Sequence, residues 1–160
     1  MQAPGDHELA DFVYREARLL DTGRYDEWYE LFAEDGIYWV PLTPNQVDPI
    51  NESSLAYEDK LLLRLRIERL RDPGPFSQHP RSRCHHLLQR PEIASADRVR
   101  NDYTVRTQFH YTETRADEQL IFVGTVFHHL AIRDDRIRIV LKRIDILNCD
   151  AALPSIQLFL

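Results

Sequence analysis

The stretch DEWYELFAEDGIYWVP, Asp26–Pro41, passes from a helical period to a strand period within a few residues. Asp26 reads as the cap of a short helix in which Trp28, Leu31 and Phe32 share a face, and Gly36 stands where a left-handed C′ residue belongs. Ile37 to Val40 then reads as a strand, which Pro41 stops by removing a ladder donor. Tyr38 and Trp39 are therefore held at a fixed sheet margin. Either they face opposite sides, one in the core and one under the following loop, or they serve a subunit contact.

Working outward, Leu9, Phe12, Val13, Ala17 and Leu20 recur at a spacing near 3.6, which predicts an amphipathic helix from Asp6, its N-cap, to Leu20. Asp21-Thr22-Gly23 makes a turn. Downstream of the strand, TPNQVDPINESS is a polar loop, after which Ser53 or Ser54 caps a third helix over Leu55–Arg71. Leu63, Ile67 and Leu70 form one apolar stripe on that helix, with Leu61 and Leu65 nearly opposite, so cover is expected on two sides. The odd positions of Leu61–Ile67 are all apolar, which keeps a strand open as the alternative. Asp72-Pro73-Gly74-Pro75 ends the segment.

Beyond that point the period becomes two. A short strand is expected around Cys84–Gln89. Val99–Tyr111 alternates with its odd positions inward, and Gln119–Ile132 is apolar on both faces, as an interior strand is. Asp134-Asp135 turns the chain into a last strand, Arg136–Leu147. There Ile137, Ile139 and Leu141 share one phase and Ile144 and Ile146 the other, which predicts a β-bulge near Lys142-Arg143. Helix, helix, strand, helix and four meandering strands make an α+β layout, in which a bent sheet curls round the helices as a cone.

The 160 residues fit one domain, 1–160, and no window approaches the ~18 uninterrupted apolar residues of a membrane span. With Lys+Arg 20 against Asp+Glu 26, the net charge of −6 has the wrong sign for a domain that lives on phosphate backbones. The first residues lack the basic start and apolar core of a secretory signal. Two separated cysteines, Cys84 and Cys149, form no disulfide framework, so a cytoplasmic protein is expected. Among Lys60, Arg64, Arg66, Arg69 and Arg71 the acids Glu58, Asp59, Glu68 and Asp72 interrupt the charge, which favours a solvated or partner-facing side over a membrane surface.

The run YREARLLDTGRYDEWYELFAEDGIYWVPLTPN, the capped basic helix, HPRSRCHHLLQRPEI and the final VLKRIDILNCDAALPSIQLFL together resemble the small (beta) subunit of bacterial aromatic-ring-hydroxylating dioxygenases. Ser82-Arg83 and His86-Leu87 match that family's pattern. Arg81 stands where it usually has proline, and LLQRPEI replaces its commoner Asn-containing turn. The resemblance implies the cone fold of the nuclear transport factor 2 superfamily and a structural, non-catalytic role. It also implies a ring of three copies joined to three large (alpha) subunits, which carry a Rieske iron–sulfur cluster and a non-haem iron. Candidate subunit contacts are Tyr38, Trp39, Arg83, His86 and Phe159.

The residues themselves offer little chemistry. A Rieske centre needs two Cys and two His, and no His follows Cys149. In each of the pairs His85-His86 and His128-His129 the rings point to opposite faces of a strand, so a metal would need one His from each. No catalytic, cofactor-binding or metal-ligating residue is assigned. There is no GxGxxG, GK[ST] or GxSxG. A self-sufficient cone-fold dehydratase or isomerase remains the alternative, with His85, Asp102, Tyr38 and His110 as acid–base candidates. A ligand-binding protein of the same fold is a third reading. Ile156, Leu158, Phe159 and Leu160 are expected to dock on this chain or a neighbour, because leaving them in water costs roughly 25 cal/mol per Å².

Overall fold

A computed structural model describes residues 2–72 and 80–160. Helix α1 (Asp6–Asp21) and the single turn α2 (Tyr25–Tyr29) precede strand β1 (Phe32–Pro41). Strand β2 (Ser54–Glu58) and helix α3 (Lys60–Arg71) follow, then β3 (Arg83–Leu88), β4 (Glu92–Asp97), β5 (Asp102–Arg115), β6 (Glu118–Arg133) and β7 (Arg136–Ile146). The sheet runs β2-β1-β7-β6-β5-β3, with β4 beside β3 on the same edge of β5. Among the described strands, only β1 and β7 are parallel. The sheet is curved, with its concave face over the N-terminal helices, and is the expected α+β cone.

The curvature has a local cause where β1 meets β7. Phe32 pairs with Ile139 and Ile37 with Leu141, so Ala33–Gly36 bulge out of the ladder. On the other edge of β7, Ile139 pairs with Leu130 and Leu141 with His129, which leaves Val140 as an extra residue. Two bulges at one level bend the sheet there. Gly36 is required by this bend. A Cβ on it would lie 2.7 Å from Ile139 O and 2.9 Å from Ala33 O. Its place is thus inside β1 and not at a helix C′, since α2 ends at Tyr29 and Arg24, not Asp26, is the N-cap.

Three other boundaries differ from the sequence reading. Gly5 rather than Asp6 caps α1, where Glu8 Oε2 accepts the Gly5 N–H at 2.8 Å. Ser54–Glu58 is a strand because the outer edge of β1 needs a partner, and Trp39 pairs with Tyr57. Asp59 then caps α3 by accepting the Leu62 N–H at 2.9 Å. Strand β5 starts at Asp102, since Asp97 Oδ1 accepts the N–H groups of Val99 and Arg100 and turns the chain there. Helix α3 ends at Arg71 with Asp72 as its C-cap, and the rest of the expected stop, Pro73-Gly74-Pro75, lies outside the described residues.

One core fills the concavity. Leu9, Val13 and Leu20 of α1, with Leu63 and Ile67 of α3, pack on the inward phase of the sheet, which includes Tyr103, Val105, Tyr111 and Ile139. The odd positions of β5 are inward as expected. The second stripe of α3 is not covered: Leu61 and Leu65 are exposed, as is the neighbouring Leu62. No helix among the described residues is long and apolar enough to cross a membrane.

Candidate functional site

The buried lysine of the concave face derives from the bulge at Val140. By adding one residue, it moves Lys142 into the inward phase with Ile144 and Ile146. Glu16 lies on the apolar stripe of α1 between Val13 and Leu20. The two meet at 2.5 Å, Lys142 Nζ to Glu16 Oε1, with each side chain 3% exposed. Trp28 Nε1 donates to the same oxygen at 2.7 Å. His128 Nε2 stands 3.5 Å from Glu16 Oε2.

Burial alone would raise the Glu16 pKa, but the Lys142 charge and the neighbouring His128 outweigh it and hold the carboxyl well below the usual range. Burial lowers the pKa of His128, so its ring is neutral at pH 7 despite Glu16. Among the described residues, both His128 ring nitrogens and Thr107 Oγ1 are buried without a hydrogen-bond partner. His128 is opposite Val105, which makes Thr107 its diagonal neighbour on the same face.

A second cluster joins the end of α1 to β3. Asp21 Oδ1 is 2.6 Å from His86 Nδ1, and the Asp21 carboxylate accepts the His86 main-chain N–H at 3.0 and 3.1 Å. Cys84, on the same phase of β3, is 3.8 Å from Asp21 Oδ1. Burial, helped by the Asp21 charge, pushes its thiol pKa up to about 12, so it is no nucleophile at neutral pH. Among the described residues, Asp21, Cys84 and His86 are the one group that brings three ligand-type atoms within 4.8 Å of one another. That set holds one Cys and one His. It does not fit a Rieske centre, nor the two-histidine, one-carboxylate site of a mononuclear iron.

The third feature is the tail, which docks on its own chain. Phe159 is 0% exposed, with its ring 4.5 Å from Trp28, 5.8 Å from Tyr38 and 5.9 Å from Tyr25. The Leu160 N–H donates to Tyr38 Oη at 2.9 Å, and Lys142 Nζ donates to Leu160 O at 2.6 Å. Burial raises the Tyr38 pKa, so the phenol is neutral.

The profile described as Ring hydroxylating beta subunit matches residues 15–151. This chain belongs to that family. Its relatives include the small oxygenase component of the p-cumate 2,3-dioxygenase system of Pseudomonas putida, 33% identical over 138 residues, covering 85% of this chain and 76% of the relative. The beta subunit of a Pseudomonas putida benzene 1,2-dioxygenase is 30% identical over 129 residues, covering 74% of this chain and 67% of the relative. Among solved structures, the beta subunit of benzoate 1,2-dioxygenase from Burkholderia mallei superposes with a TM-score of 0.78 at 26% identity, covering 99% of this chain and 100% of that one. A protein assigned as a scytalone dehydratase from Novosphingobium aromaticivorans shares the fold, with a TM-score of 0.62 at 14% identity over 86% of this chain and 80% of its own.

In this beta subunit the four acid–base candidates do not converge. Tyr38 is on the concave face, whereas His85, Asp102 and His110 are exposed. His85 is opposite Thr112 and so beside His110, while Asp102 is eight residues further along β5, roughly 26 Å away at strand rise. The comparisons and this scatter together disfavour the isolated-enzyme reading.

The five candidate contact residues separate in the same way. Tyr38 and Phe159 are in the core, and the His86 side chain is 5% exposed beneath Asp21. Trp39 is covered by the chain that follows it: its Nε1 donates to Ser54 Oγ at 2.9 Å, and Arg143 lies over the ring. Arg83 alone of the five is exposed. The Glu16–Lys142–His128 cluster was not anticipated. Its signal in the sequence is a glutamate on an apolar helix stripe and a lysine in phase with Ile144 and Ile146.

Proposed function

We propose that this chain is the non-catalytic beta component of an aromatic-ring-hydroxylating dioxygenase in the cytoplasm. As a single domain it forms a ring of three and joins three larger alpha subunits, which bind the Rieske cluster and the catalytic iron. The isolated chain has no turnover of its own. Family membership supports this reading. The observation that carries it is internal: the Glu16 and Lys142 charges beneath the sheet neutralise one another, and Phe159 is fully buried against Trp28 and Tyr38 beside them.

What remains for function is contact. Leu61, Leu62 and Leu65 of α3, with Leu55 and Tyr57 of β2, are apolar and exposed, and so are Leu87, Ile121 and Leu147 on the sheet. These two surfaces, with Arg83, are the subunit contacts of this reading.

The test is reconstitution with the alpha subunit. Replacing both Leu61 and Leu65 by Asp is expected to cut complex yield by about tenfold or more while the isolated chain melts as before. His85→Ala and Asp102→Ala are expected to leave turnover of the assembled enzyme within about twofold. Loss of turnover in an intact complex on either alanine change would contradict the proposal.

A further inference from the structure

We propose that Leu158–Leu160 are a peptide ligand bound in cis, and that the pocket they fill is a receptor for a short apolar segment carrying an aromatic residue. Residues 152–160 belong to no helix or strand. The main-chain groups of Leu158 and Leu160 are met instead by side chains from four separate elements. Glu113 Oε1 of β5 accepts the Leu158 N–H at 2.8 Å, and Arg66 of α3 donates to Leu158 O at 2.6 Å. Tyr38 of β1 and Lys142 of β7 take the Leu160 N–H and oxygen. This is how a protein holds a bound peptide whose backbone finds no sheet edge.

Each of those four groups has a support outside the tail. Arg66 pairs with Glu58, Glu113 accepts the Tyr111 hydroxyl at 2.8 Å, and Lys142 is held by Glu16. Tyr38 packs edge-on against Trp28. The aromatic slot between Trp28, Tyr38 and the Arg66 guanidinium, 4.1 Å from the Phe159 ring, is thus built from residues that keep their places when Phe159 leaves. Pre-organised partners of this kind favour binding because little further ordering is needed. A route exists as well: a cleft of about 510 Å³ runs along Leu153–Ile156 to Tyr38 and Arg66, and Ala151 and Ala152 at its mouth are exposed.

Two measurements, one on the intact chain and one on the chain cleaved after folding, test this, and neither depends on the assembly reading. In native-state hydrogen exchange, the Leu158 and Leu160 amides are expected to exchange at least about 100-fold faster than those of Tyr103 and Phe109. Equal protection would make the tail an inseparable part of the core and overturn the proposal. In the second, a protease site placed between Ala151 and Ala152 is cut after folding, and labelled peptide SIQLFL is added. The cut protein is expected to take up the peptide with unchanged circular dichroism, and to bind SIQLAL about tenfold or more weakly. Failure to take up SIQLFL, equal uptake of both peptides, or unfolding on cleavage would each overturn it.

Discussion

Lys142 Nζ lies 2.5 Å from Glu16 Oε1, joining the last strand to the first helix across the inside of the sheet. Trp28 Nε1 and Leu160 O complete the ring of partners. Because both ions are out of water, the pair is worth little more than an apolar contact of the same shape, yet either charge alone is costly. Lys142→Met is therefore expected to lower unfolding free energy by about 3–5 kcal/mol, and Glu16→Leu combined with Lys142→Met by less than the sum of the single changes. Urea unfolding of the single and double variants checks this.

The same site makes the fold acid-sensitive. The unfolded chain binds a proton at His128 near pH 6.5, whereas burial lowers that pKa in the folded state. Stability falls as pH drops below about 6.5 because the unfolded state holds more protons there. Glu16, whose folded pKa is also depressed, adds a second loss from about pH 4.5 downward. Urea midpoints at pH 7.5 and 5.5 should differ in that direction, and His128→Asn should flatten the difference. A midpoint equal or higher at pH 5.5 would contradict the assignment.

Two glycines should both lose stability on change to alanine, by different amounts and for different reasons. At Gly124 a Cβ would meet Asp145 O at 2.1 Å, backbone that cannot move without parting β6 from β7. Gly124→Ala is expected to cost at least about 2 kcal/mol. Gly23, at φ +69° with nothing within 4 Å of an added Cβ, should cost about 1 kcal/mol through backbone strain alone. Thermal melts rank the two.

Asp59 and Phe159 test the corrected boundary of α3 and the seating of the tail. Asp59→Ala removes the cap on Leu62 and is expected to cost about 1 kcal/mol. Phe159→Ala empties a fully buried aromatic site and is expected to cost about 3–5 kcal/mol. An α3 that began at Leu55 would not register the first change.

The sequence carried the long strands plainly, because period two over Tyr103–Tyr111 and the phase change in β7 report directly on which face is buried. It misplaced short elements whose partners are distant. Ser54–Glu58 is a strand only because β1 has a free edge, and Gly36 is a bulge residue only because Ile139 O approaches it. The bulge expected at Lys142-Arg143 occurs at Val140. That shift of two residues changes Lys142 from a marker of the phase change into a buried ion, and so hid the cluster with Glu16. The resemblance reached the family from local motifs. It did not reveal that Tyr38 and Phe159 face each other inside the cone.

The most direct test of the account is native mass spectrometry, with iron analysis, of the chain purified from its own cell. The expected result is an iron-bearing complex containing equal numbers of this chain and a larger one. A homo-oligomer with neither iron nor partner would contradict the assignment of this chain as a dioxygenase beta component.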